Sequence, residues 1–131
     1  MNLFPEVTSQ LREHCGEHGG ILQHSVDQNQ MFTTVLKHFK YLVKMAWDKW
    51  GSGSDAVFAI VVVCARGRHR SVAVARAIHH ILNSKGLQCP EPIHLGNWQR
   101  LCSRCEECSC TSFSRTKQEA LAQALALYDT L

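Results

Sequence analysis

Met31, Phe32, Val35, Leu36, Phe39, Leu42, Val43, Ala46 and Trp47 recur at i, i+3, i+4 and i+7 along one stretch of the chain. That spacing is the repeat of an α-helix and predicts an amphipathic helix over residues 29–50. Gly51-Ser52-Gly53-Ser54-Asp55 breaks it. From Val57 to Cys64 the pattern changes to apolar residues throughout. Such a run predicts a strand buried on both faces, at the centre of a parallel sheet. A second helical period runs from Ser71 to Lys85, with an apolar face of Val74, Ala77, Ile78, Ile81 and Leu82. Gly86 is suited to stop it. Leu87 to Leu95 reads as extended, but Pro90 and Pro92 confine it to a sheet edge. Strand, helix and edge strand would form one right-handed crossover unit. Gln118 to Tyr128, rich in alanine and leucine, predicts a closing helix.

Two stretches lack such periods. Residues 1–28 are polar and rich in histidine and glycine, and read as an irregular N-terminal segment. Within it a short helix from Glu6 to Cys15 would end at Gly16, and Met1–Phe4 is a candidate further strand. Residues 96–115 read as an irregular cysteine-rich loop. The expectation is therefore a single α/β domain over residues 1–131. It would have a small parallel sheet around a central strand–anion loop–helix unit, with amphipathic helices packed on it. Few strands leave an open sheet edge, which a second copy of the chain could cover as a homo-oligomer.

At 131 residues the chain has the size of one domain and enough apolar content for a core. The net charge of +3 is modest, but it is unevenly placed. Arg66, Arg68, Arg70 and Arg76 fall in a stretch that contains no acid, so the picture is a local positive patch. Seven cysteines are many for an ordinary cytosolic domain. Their odd number and the absence of a secretory leader pattern speak against a secreted disulfide scaffold. No apolar run has the length of a membrane span. The expected setting is intracellular and cytoplasmic, away from membranes.

The chemistry concentrates where the apolar run meets the second helix. Cys64-Ala65-Arg66-Gly67-Arg68-His69-Arg70-Ser71 would form a tight loop between strand and helix. Its backbone N–H groups, the positive end of the helix and the Arg70 guanidinium would converge on one point. The natural guest is phosphate or a similar oxyanion. Cys64 would lie at the floor of the cup, where the same field favours a thiolate.

Cys-x5-Arg-Ser resembles the loop of low-molecular-weight tyrosine phosphatases and their arsenate-reductase relatives. That resemblance implies Cys64 as nucleophile, Arg70 as oxyanion clamp and Ser71 as a hydroxyl that eases departure of the thiol. No Asp-Pro pair is present, and Asp48, Asp55 and Asp129 lie in no obvious mobile loop. A proton donor for a leaving group is thus not identifiable, which favours binding over catalysis. The longer run Cys64 to Ala75, with His69 before Arg70-Ser71-Val72, is more similar to the Cys-Thr-Gly-Gly-x-His-Arg-Ser-Val loop of the C-terminal domain of RapZ, the bacterial RNase adapter. The similarity extends over roughly Phe32 to Leu95, with echoes at Leu11-Arg12 and Gly16. Ala65-Arg66 stands in place of Thr-Gly. The resemblance implies a domain that binds an amino-sugar phosphate, takes part in small-RNA recognition and works as an oligomer. The expected partner is a phosphorylated small molecule or RNA. Trp98 beside Arg100 could stack on a base.

Cys102, Cys105, Cys108 and Cys110 are crowded into a short stretch. Thiolates at such spacing form zinc knuckles, with His94, or His14 and His18, as replacements for a sulfur. A disulfide cluster is the competing reading, in which a late cysteine could also resolve a bond with Cys64. A third view of the whole chain is a metal-stapled interaction module.

Overall fold

The computed structural model describes residues 13–27, 29–51, 55, 57–64, 69–95, 105–109, 111 and 114–131. Four α-helices organise them: α1 (Gly19–Asp27), α2 (Asn29–Trp50), α3 (Arg70–Ser84) and α4 (Arg115–Thr130). A 3-10 turn spans Glu106–Cys108. The helix expected over 29–50 forms as α2, and the helix and closing helix expected further on form as α3 and α4.

The apolar faces explain the packing. Phe32, Leu36 and Phe39 of α2, Val74, Ala77, Ile78, Ile81 and Leu82 of α3, and Ala124 and Tyr128 of α4 share one core with Val26 of α1. Helix α4 touches the other three helices. Ala120 and Ala124 on it are fully buried, and small side chains there let its neighbours approach. Ala73 of α3 and Leu22 of α1 meet Ala120 in a second cluster. Helix ends are closed locally. Ser114 caps α4 by accepting a hydrogen bond from Lys117 N–H at 3.2 Å. Gly86, with φ of +80°, ends α3 in a turn where Leu87 N–H donates to Leu82 C=O at 3.0 Å. Lys40 reaches across from α2 and donates to the Tyr128 and Leu131 carbonyls at the end of α4.

The α/β expectation is overturned. Among the described residues there is no strand and no sheet, so neither the crossover unit nor a sheet edge for subunit pairing forms. Residues 57–64 run without regular structure, and Val57, Val61 and Val63 are 94%, 80% and 82% exposed. Val62 packs against the core, and Phe58 stacks on Trp50. The physical reason is the lack of a partner. A strand is stabilised by a neighbour's backbone groups, and residues 87–95, with two prolines, do not supply a ladder. Trp47, the last position of the α2 stripe, and Trp50 at the end of that helix are exposed. Helix α1 was not foreseen. Its two opening glycines and sparse apolar pattern hide it, yet Ile21, Leu22, Ser25 and Val26 are buried. The helix expected over Glu6–Cys15 falls mostly outside the described residues, and residues 13–18 form an irregular turn.

That turn is held by a buried ion network. Glu17 is 0% exposed. Arg76 Nε of α3 donates to both its carboxylate oxygens, at 2.7 and 3.1 Å, and Lys117 Nζ of α4 lies 3.4 Å away. Arg76 also donates to Glu91 at 2.6 Å, and His79 Nδ1 lies 3.1 Å from its second terminal nitrogen. Burial pulls the Arg76 pKa down, but Glu17 and Glu91 outweigh it and keep the guanidinium firmly charged. Next to Glu17, Gly16 lies on the first turn of α3. A Cβ there would meet His69 O at 2.2 Å and Ala73 N at 2.3 Å.

Two outcomes follow from this packing. Gly16→Ala should destabilise the protein by at least about 2 kcal/mol, because the clash is with backbone that cannot rotate away. Gly86→Ala, which meets nothing within 4 Å, should cost about 1 kcal/mol through its positive φ alone. Urea unfolding of both variants checks the order. The second outcome concerns pH. Burial lowers the pKa of His18, His80 and His94 below the ordinary 6.5. Their neutral forms belong to the fold, so the unfolded chain takes up protons first as pH falls. Stability should be full above pH 6.5 and decline below it. Glu91, whose pKa Arg76 lowers from 4.5 by hydrogen bonding, adds a further loss below that value. Urea midpoints from pH 8 to 4, in chelator, should show this shape; a midpoint that rises on acidification contradicts it.

Candidate functional site at the first turn of α3 and a histidine–cysteine cluster

Helix α3 begins directly after the loop singled out in the sequence. His69 is its N-cap residue, and its side chain makes no capping hydrogen bond. Ala73 N–H donates to His69 C=O at 2.9 Å, the first bond of the helix. The N–H groups of Arg70, Ser71 and Val72 therefore precede the intrahelical ladder, as at any helix start. The first turn contains no acid. Cys64 and Ser71 come together here: the Cys64 thiol donates to Ser71 Oγ at 3.2 Å. The two ends of the Cys-x5-Arg-Ser signature are thus closed over the N-terminus of α3, without a sheet beneath them. Ser71 is buried, whereas Cys64, His69 and Arg70 are half-buried. Ala65, Arg66, Gly67 and Arg68 lie outside the described residues.

A second constellation lies near that helix turn, where Val72 packs with Cys15 and Cys108. His14, Cys105 and Cys108 bring one nitrogen and two sulfurs within 4.8 Å of one another. His14 Nδ1 is 3.3 Å from Cys108 Sγ, across 94 residues of sequence. Cys15 is fully buried beside them, and its thiol donates to Cys108 C=O at 3.6 Å. His18 stacks obliquely on His14, with ring centroids 4.4 Å apart. Gly20 N–H donates to His18 Nδ1 at 3.0 Å, so the ring proton resides on Nε2 and points at Glu107, 2.8 Å away. Burial lowers the His18 pKa more than Glu107 raises it, which keeps the ring neutral.

Of the late cysteines, Cys105 and Cys108 are thus brought together with His14. Cys102 and Cys110 lie outside the described residues, as does Trp98. His94 is placed elsewhere, in the ion network, with Nε2 at 3.9 Å from Glu17 Oε1. The cluster is a mixed imidazole–thiolate donor set that could hold a metal ion. Its histidine was legible in the sequence only as one of several candidates. The Glu17–Arg76–Lys117 network was missed altogether. Arg76, which the sequence grouped with Arg66, Arg68 and Arg70 in a positive patch, is instead buried and paired with Glu17 and Glu91.

No helix among the described residues is long and apolar enough to cross a membrane. Searches of curated proteins and of solved structures returned no match. Comparison with protein families matches residues 3–94 to the RapZ C-terminal domain. The matched stretch takes in α1, α2, α3 and the whole of Cys64–Ser71, and ends before Cys105 and Cys108. Because it spans more than two thirds of the sequence, the chain belongs to the RapZ C-terminal domain family.

Proposed function

We propose that this domain binds a phosphorylated ligand, a phosphosugar or an RNA phosphate, at the Cys64–Ser71 loop. The observation that carries the reading is the Cys64–Ser71 contact at 3.2 Å, on a stretch that lies inside the family match. With the loop ends joined there, backbone N–H groups of residues 65–71 can converge on an anion in front of α3. The helix end supplies partial positive charge and Arg70 a bidentate fork. In this reading Cys64 lines the cup and is not a nucleophile. Its hydrogen bond to Ser71 positions the serine rather than activating the sulfur.

Phosphate titration followed by amide NMR should shift residues 65–71 first. Arg70→Ala should weaken phosphate binding by roughly ten- to a hundredfold, the value of a charge-assisted pair. Cys64→Ser should leave it nearly unchanged, and aryl phosphate should not turn over. Shifts confined to other regions would sink the reading. Hydrolysis by the parent protein that Cys64→Ser abolishes would establish a phosphatase instead. Phosphosugar and a short RNA, titrated separately, decide between the two ligand sources.

The metal reading belongs to the same proposal. Zinc is the ion whose preference for mixed nitrogen and thiolate donors fits His14, Cys105 and Cys108. Elemental analysis of protein purified without chelator should find about one zinc per chain. His14→Ala and Cys105→Ser should each lower that content. Paired cysteines by mass spectrometry, with little metal, would replace zinc by a disulfide.

A further inference from the structure

One short strap of backbone, residues 13–17, touches both the histidine–cysteine cluster and the first turn of α3. His14 belongs to the cluster. Cys15 follows, with its thiol on the Cys108 carbonyl and its sulfur accepting Glu17 N–H at 3.4 Å. Gly16 then presses directly on the first turn of α3, at His69 O, Ala73 N and Val72 Cβ. Glu17 closes the strap by pairing with Arg76, one and a half turns further along the same helix. Cys15, Cys108 and Val72 are buried in one cluster, with Cys105 packed against it.

We infer that metal occupancy at His14, Cys105 and Cys108 controls the anion affinity of the Cys64–Ser71 loop. The inference rests on the anion and zinc readings above and adds the coupling between them. Three observations support it. The donor geometry suits a tetrahedral ion: bonds of ordinary Zn–N and Zn–S length place such ligand atoms about 3.5 Å apart, and His14 Nδ1 and Cys108 Sγ are 3.3 Å apart. The donors come from two segments far apart in sequence, so the ion would cross-link them. Finally, the strap meets α3 backbone on backbone at Gly16, with no side chain between to absorb a displacement. Close-packed contacts of this kind transmit a shift rather than damping it.

The direction follows from the order that each ligand demands. Zinc binds the two cysteines as thiolates, releasing their protons, and fixes His14. That holds Gly16 against His69 and Ala73, where α3 begins. An anion in front of α3 needs the N–H groups of the same turn to be aligned. The ligand that arrives second finds part of this ordering already done, so each strengthens the other. The His18–Glu107 pair ties the same two segments beside the metal and keeps them close when it is removed.

Calorimetric titration with inorganic phosphate, on zinc-loaded and chelator-stripped full-length protein, tests this. Phosphate should bind about tenfold more weakly to the stripped protein, within the usual range of coupling between sites. His14→Ala, measured with zinc present, should bind phosphate at the stripped level. A competing chromophoric chelator should report the reciprocal effect: saturating phosphate should raise zinc affinity by the same factor. This second measurement starts from the loaded, folded protein and stands even where stripping unfolds the chain. Equal phosphate affinity with and without zinc, or zinc affinity indifferent to phosphate, overturns the coupling while leaving both sites in place. Absence of phosphate binding in either state overturns the anion reading and the coupling with it. Failure of the protein to take up zinc does the same for the metal reading.

Discussion

One buried carboxylate ties the molecule together. Glu17 has no exposed surface, and it faces Arg76 from α3 and Lys117 from α4. Burying three charges is expensive, and the expense is recovered only when each finds its partners. Here they do. Arg76 is shared between Glu17 and Glu91, and Lys117 also donates to the Ser109 carbonyl at 3.2 Å. The last contact matters beyond its own energy. Ser109 follows the Cys105–Cys108 turn directly, so one lysine anchors that turn to the carboxylate that also anchors the strap of His14 and Gly16. Removing a partner from such a network typically costs about 3–5 kcal/mol, since it strands a buried charge. Loss of Glu17 would release the strap, α3 and the cysteine turn from one another at once.

The helices were legible where the pattern was long and the core one-sided. Phe32, Val35, Leu36, Phe39 and Val43 of the α2 stripe and the five apolar positions of α3 each specify one face, and the core is built on those faces, although Leu42 and Trp47 of the stripe are exposed. The reading failed where it inferred burial from apolarity alone. Val57–Cys64 is apolar at every position, yet a strand cannot bury itself; it needs neighbours for its backbone groups, and a lone run says nothing of them. Helix α1 shows the opposite error. Gly19 is a poor helix residue, but a Cβ there would meet Lys117 N at 2.9 Å, so tertiary contact with α4 selects the glycine against its propensity.

The candidate site was legible in proportion to how local it is. Cys64, Arg70 and Ser71 are close in sequence, and their type and spacing marked them as one candidate site, whose two ends the structure joins. The crowding of Cys105 and Cys108 likewise marked a candidate donor pair, which the structure brings together with His14. What local spacing could not supply was the third donor, because His14 lies 94 residues from Cys108 in sequence and becomes its neighbour only in the fold. The sequence favoured His94 as the histidine ligand, whereas the structure brings His14 to Cys105 and Cys108. The fold separates them by giving His94 a place beside Glu17.

The exposed run before Cys64 bears on how the proposed anion loop would work in a helical setting. In a parallel sheet, ladder bonds on both sides would fix the residue at the loop's floor. Among the described residues the incoming segment meets the rest of the fold through Val62 on the core, Phe58 on Trp50, and the Cys64 thiol on Ser71. All three are side-chain contacts, and the last ties Cys64 to α3 itself. Whatever sets the first turn of α3 also sets Cys64, and that turn is backed by Gly16 and by Val72 packed against Cys15 and Cys108. Without sheet support, the proposed coupling gives the strap of residues 13–17 the role of aligning the donors, through its contacts with the first turn of α3.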